Sequence, residues 1–141
     1  MSLLHMLDTD MSSYIIKGRL PNAAAILSAI PSSKLCISAV TRAELLYGLK
    51  RLPLDHRLHL VVRRFLDMVP SLPWDAAAAD HYSEIRHQLA STGQPIGELD
   101  MMVAAHAIAA GAVLVTNNTR HFSRITAPLV MANWMDAPQP G

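Results

Sequence analysis

Four residues in this 141-residue chain place side-chain oxygen where the pattern passes from an extended run into a helix: Asp8, Glu44, Asp100 and Asn118. Carboxylates and carboxamides are the donors a hard divalent cation takes. Mg2+ and Mn2+ bind oxygen in near-octahedral geometry and keep several waters, so two or three carboxylates plus solvent suffice. Each residue alone has an ordinary structural explanation. Asp8 fits the N-cap of a helix beginning near Asp10, and Asp100 fits a favourable first-turn acid beside Glu98. Thr41-Arg42-Ala43-Glu44 has capping-box spacing, in which the glutamate reaches back to the Thr41 amide, and Asn118 suits a turn. None of these explanations requires four separate junctions to carry oxygen donors suited to one cation. The joint pattern is the signal.

Other chemistries find less support. Seven histidines invite a transition-metal site, yet no HExxH and no His pair at i, i+4 occurs, and His106 on an Ala-rich helical face reads as a satisfied core or interface residue. Trp74 and Trp134 read as packing residues. The one cysteine, Cys36, lies in the apolar run 35–38 and reads as a small buried hydrophobe in a reducing compartment. A phosphate-accepting receiver-like domain would want a lysine late in the chain, and none stands there.

The elements that must position the four residues follow from periodicity and punctuation. The run 3–7 predicts a strand ending at Asp8, followed by helical spacing that stops near Gly18. Pro21 is expected in the first turn of a second helix reaching Ile30. Residues 35–38 predict a strand, 40–50 a helix, 54–67 an amphipathic helix, 68–72 a short strand and 75–91 a long helix opened by acid. The loop 92–97 carries Gly93, Pro95 and Gly97. A helix from Glu98 to Ala110 then stops at Gly111, and a buried strand over 112–116 follows. After the turn at Asn117 and Asn118 come a helical turn around 120–122 and an edge strand over 129–131. Strands separated by helices imply crossovers and a mostly parallel sheet, a three-layer α/β/α sandwich in which ligands gather at the carboxyl ends of the strands.

Length and hydropathy agree with one domain over 1–141. A chain of this size, with 51% hydrophobic residues, 16% charged and a mean hydropathy of +0.23, buries a core rather than remaining disordered. Twelve Lys and Arg against eleven Asp and Glu leave +1, so any nucleic-acid contact must be local. Lys17, Arg19, Lys50, Arg51, Arg63, Arg64, Arg120 and Arg124 are the residues available for a phosphate-contacting rim, although solvated helix faces explain most of them. The opening residues lack a signal-peptide pattern, and the longest apolar stretch, 101–115, is broken by His106 and Gly111. A cytoplasmic protein without a membrane span is the expectation.

The segments Leu7-Asp8-Thr9-Asp10, Ser38-Ala39-Val40-Thr41-Arg42-Ala43-Glu44-Leu45, Pro95-Ile96-Gly97-Glu98-Leu99-Asp100 and Leu114-Val115-Thr116-Asn117-Asn118-Thr119-Arg120-His121-Phe122 occur in that order, and Asn133-Trp134 closes the series. Together they resemble PIN-domain toxins of the VapC type over nearly the whole chain.

That resemblance implies a metal-dependent endoribonuclease, the toxin of a toxin–antitoxin pair. Asp8 and Asp100 would hold Mg2+ or Mn2+. Glu44 would complete the ligand set through water or orient the nucleophile, and Thr9 and Thr116 would support the site. The fourth acidic position falls near Asn118, where an amide removes one charge and leaves the number of metals, one or two, open. Arg120 becomes a contact for the RNA backbone. Implied partners are an RNA, a cognate antitoxin whose amphipathic helix fills an apolar groove, and a second copy in a homodimer, with DNA reached only through the antitoxin. Tyr14, Ile15, Leu46 and Leu49 are the expected groove residues. A non-catalytic binding module of the same fold is the alternative.

Overall fold

The computed structural model describes residues 3–136, and the single domain expected over 1–141 extends past them at both ends. Five strands form one wholly parallel sheet: β1 (His5–Leu7), β2 (Leu35–Ser38), β3 (Ser71–Leu72), β4 (Val113–Val115) and β5 (Met131–Ala132). Their order is β3-β2-β1-β4-β5, so the strand first in sequence lies at the centre. The helices are α1 (Thr9–Ile16), α2 (Ala23–Ser28), α3 (Ala39–Lys50), α4 (Leu58–Met68), α5 (Ala76–Ser91), α6 (Glu98–Ala110) and a single turn, α7 (Thr119–Phe122).

Successive strand side chains point to opposite faces, and this two-residue period divides the interior into two cores. Met6, Cys36 and Leu114 enter one, with Ile85 and Leu89 of α5 and Val103, Ala104 and Ala107 of α6. Leu7, Ile37 and Val115 enter the other, with Met11 and Ile16 of α1, Leu45 and Leu49 of α3, and Val62 and Phe65 of α4. The three-layer α/β/α sandwich expected from the sequence is the architecture found. No helix among the described residues is long and apolar enough to cross a membrane.

Helix α6 begins and ends where the sequence places it. Gly111 closes it at φ 65°, a left-handed conformation that glycine adopts without a Cβ penalty. Several other boundaries differ. Pro21 lies outside α2, which starts only after Asn22 has taken a left-handed turn at φ 58°. Residues 54–57 form turns, so α4 begins at Leu58. Met68 closes that helix rather than opening β3. The edge strand β5 pairs at Met131 and Ala132 instead of 129–131 because its ladder with Leu114 and Val115 sets the register. Leu3 and Leu4 precede β1.

The capping box is also absent. Ser38 caps α3, its hydroxyl accepting from the Val40 amide at 3.1 Å, which puts Thr41 inside the first turn, fully buried. Glu44 is thereby released from the helix end.

Candidate active site

Chain order turns around between β1 and β4: β2 and β3 extend one way from the centre, β4 and β5 the other. At such a switch point the loops leaving neighbouring strands diverge to opposite faces and open a crevice. Asp8 and Thr116 are the residues immediately beyond these two strands. The Asp8 amide still donates to the Val115 carbonyl at 3.0 Å, so Asp8 closes the ladder before the chain turns into α1. Its Oδ1 then accepts from the Met11 amide at 2.7 Å, the expected N-cap, and the Thr116 hydroxyl hydrogen-bonds the same carboxylate. Ser12, also buried, donates its hydroxyl to the Asp8 carbonyl at 2.8 Å. Capping and site formation are thus one arrangement at Asp8.

Glu44 comes to the site from α3. Thr9, the first residue of α1, donates its hydroxyl to Glu44 Oε1 at 2.6 Å and lies 3.3 Å from the Thr41 hydroxyl. Asp100 arrives from the first turn of α6. Its neighbour Glu98 is committed elsewhere, to an exposed ion pair with Arg86 at 3.0 Å and a hydrogen bond from Tyr82. That pair is the only ion pair among the described residues, so no Lys or Arg neutralises Asp8, Glu44 or Asp100.

Electrostatics show that the acids act on one another. Burial pushes the Asp8 carboxyl from 3.8 up to about 6, against the lowering effect of its Thr116 and Met11 hydrogen bonds, and the charges of Asp10 and Asp100 add to the rise. Burial likewise raises Glu44, offset by the Thr9 hydrogen bond and reinforced by Asp100 and Asp10. Asp100 is raised by burial and by Asp10, and lowered by His121. Asp10 thus bears on all three acids. Asp10 is the fourth carboxylate of the group where Asn118 supplies none, and the Asp-Thr-Asp spacing at the start of α1 was its signal.

Asn118 sits beyond β4 with its amide donating to Thr116 Oγ at 2.8 Å. Its carboxamide engages His121 Nδ1 at 2.7 Å rather than capping α7. Arg120 is exposed on the same turn. His106 is 3% exposed and its Nδ1 meets Ser38 Oγ at 2.7 Å, the satisfied core histidine expected from its setting. Trp134 is buried, and Trp74 Nε1 donates to the Met102 carbonyl.

A cleft of about 340 Å3 adjoins the acids between α1, α3 and α4. Thr9 at the start of α1 and Glu44 midway along α3 line it, as do Lys17 and Arg51 just past the ends of the two helices, with Leu49, Leu52 and Val62 between. Of the four expected groove residues only Leu49 lines it. Ile15 faces a second apolar depression with Leu27 and Phe65, and the Tyr14 hydroxyl lies 3.5 Å from Asn117 Nδ2. Leu46 lines neither. Helical rotation separates residues so close in sequence.

Comparison with known proteins places this geometry. The model of the PIN domain matches residues 5–128. A curated relative from Shigella flexneri, the tRNA(fMet)-specific endonuclease VapC, is 40% identical over 123 residues, 87% of this chain and 92% of its own. The chain belongs to the VapC group of PIN-domain proteins. Ribonuclease VapC2 of Haemophilus influenzae is 38% identical over 135 residues, covering 94% of this PIN chain and 99% of its own. Among solved structures, the DNA-bound VapBC from Salmonella typhimurium superposes with a TM-score of 0.86 at 36% identity, covering 94% of this chain and 99% of its own. VapBC2 from Rickettsia felis, bound to a promoter DNA fragment, gives 0.85 at 30% identity, with 94% and 99% covered.

Proposed function

We propose that this PIN domain is a metal-dependent endoribonuclease, the toxin of a toxin–antitoxin pair, acting on a tRNA or rRNA. The carrying observation is the group of carboxylates at the switch point, buried or half-buried, mutually repelling and without a Lys or Arg partner. Among the described residues no group of three or more His, Cys, Asp or Glu is arranged to hold an ion by itself. The donor chemistry nevertheless fits a hard cation that keeps several waters and takes only one or two carboxylates, which Asp8 and Asp100 supply. Bound there, Mg2+ or Mn2+ would acidify a water and neutralise charge on the scissile phosphate.

The remaining residues position these groups. The Met11 amide and Thr116 hydroxyl fix the Asp8 carboxylate, and Thr9 fixes Glu44, which orients the attacking water. Asp10 adds negative charge that attracts a cation. Arg120, exposed and unpaired two residues past Asn118, contacts the RNA backbone. The relatives' names support the ribonuclease reading and a tRNA as the substrate to test first.

The VapBC complexes support an antitoxin partner, with DNA contacted through that partner, and a homodimer is expected as in the resemblance. The cleft from Thr9 and Glu44 to Lys17 and Arg51 is the groove offered to the antitoxin helix.

The test is cleavage of total tRNA by the purified chain. Wild type with Mn2+ or Mg2+ is expected to cut, EDTA to stop it, and Asp100→Asn to slow it by roughly 100- to 1,000-fold or more, the cost of losing a charge-stabilising group. A folded, metal-saturated protein that cuts no RNA overturns the reading.

A further inference from the structure

Asp8, Thr116, Asn118 and His121 form a continuous hydrogen-bonded series running from the most buried acid to an exposed imidazole. The Thr116 hydroxyl bonds the Asp8 carboxylate and accepts from the Asn118 amide at 2.8 Å, and the Asn118 carboxamide meets His121 Nδ1 at 2.7 Å. Three links therefore tie the ring to the acid cluster. His121 is exposed, and its Nε2 has no protein hydrogen-bond partner among the described residues. It is also the one cation-forming side chain whose charge is felt by the acids, since it lowers Asp100.

We propose that His121 is a catalytic residue of the phosphodiester hydrolysis, donating a proton from Nε2 to the ribose oxygen that departs from phosphorus. The inference rests on the nuclease reading above. A water oxygen bonds to phosphorus while the bond from phosphorus to the departing oxygen breaks, its electron pair going to that oxygen. That oxygen takes the Nε2 proton. The proton lost by the attacking water passes to a carboxylate of the cluster or to solvent, and solvent reprotonates the ring.

Asn118 suits this cycle because the ring keeps its Nδ1 proton throughout. With the amide oxygen turned to the ring, the carboxamide accepts from Nδ1–H both in the imidazolium and in the neutral ring left after Nε2 gives up its proton. An aspartate there would favour the imidazolium and oppose proton release. The amide at this position therefore holds the proton donor instead of adding a fifth negative charge.

A leaving group that needs no proton separates this role from binding or packing. The full-length chain with Mn2+ is assayed on a short oligoribonucleotide and on bis(p-nitrophenyl) phosphate, as wild type, His121→Ala and His121→Gln, with melting curves confirming the fold. On RNA, kcat is expected to fall roughly 100-fold or more with KM nearly unchanged, the size of a lost general acid. On the activated diester it is expected to fall only slightly. Asn118→Ala should give an intermediate loss on RNA. Equal losses on both substrates, a rise in KM alone or no loss each overturn the role of His121 while leaving the nuclease reading intact. A wild type that cuts neither substrate overturns both.

Discussion

Two buried polar groups stand side by side at the carboxyl ends of adjacent strands and differ in one respect. At the end of β2, Ser38 and His106 are matched: a hydroxyl and a ring nitrogen meet at 2.7 Å, both residues at most 3% exposed. At the end of β1, Asp8 is as deeply placed, but its surroundings add the charges of Asp10 and Asp100 and supply no Lys or Arg. The fold satisfies a buried polar pair where the need is structural. It leaves like charges confronting one another one strand away. Such a cluster costs stability in the absence of a cation, as sites that store unfavourable electrostatics for function do.

The largest effect expected to test this contrast is on pH dependence. The folded chain holds the Asp8 proton more tightly than the unfolded chain, whose aspartate titrates at the ordinary value of 3.8. Metal-free stability should therefore be fullest below that value and decline as pH rises through about 6, with Glu44 and Asp100 shifted in the same direction. Asp8 alone corresponds to a decline of about 3 kcal/mol. Urea melts in EDTA between pH 4 and 7.5 measure it, and a stability that rises over this range breaks the contrast. A smaller effect is expected at the matched pair. His106→Ala or Ser38→Ala leaves one buried partner unsatisfied, costing about 1–3 kcal/mol at every pH. The smallest belongs to the exposed pair of Arg86 and Glu98. Glu98→Gln should leave RNA cleavage unchanged and move the melting temperature little, whereas Asp100→Asn two residues away is expected to slow cleavage by roughly 100-fold or more.

The layers and crossovers were legible because strand and helix periods alternate cleanly and glycine or proline marks most junctions. Helix α6 shows this best, bounded by Gly97 and Gly111 as expected. Asp8, Glu44, Asp100 and Asn118 were legible as junction residues, and the structure brings Asp100 within electrostatic reach of both Asp8 and Glu44. The cap of α3 was misread because Ser38 and Thr41 are both good N-caps. The choice is made by the ladder, which carries β2 as far as Ser38 opposite Leu72. Asp10 and His121 were passed over as site residues because local spacing carries no record of which loops converge across a sheet. Asp10 reaches Glu44 and Asp100 only after α1, α3 and α6 are packed, and His121 reaches Asp100 only once β4 lies beside β1.

The central claim, that the unpaired carboxylates await a cation, is tested most directly by thermal melting of wild type and Asp8→Asn at pH 7.5, with and without Mn2+. Asparagine keeps the N-cap and removes the buried charge. Without metal the variant is expected to melt above wild type. With Mn2+ at about 100 times its dissociation constant, wild type should gain about 2.7 kcal/mol by mass action and the variant much less, closing or reversing the order. A metal-free variant that melts below wild type, or equal stabilisation of both proteins by Mn2+, would contradict the claim.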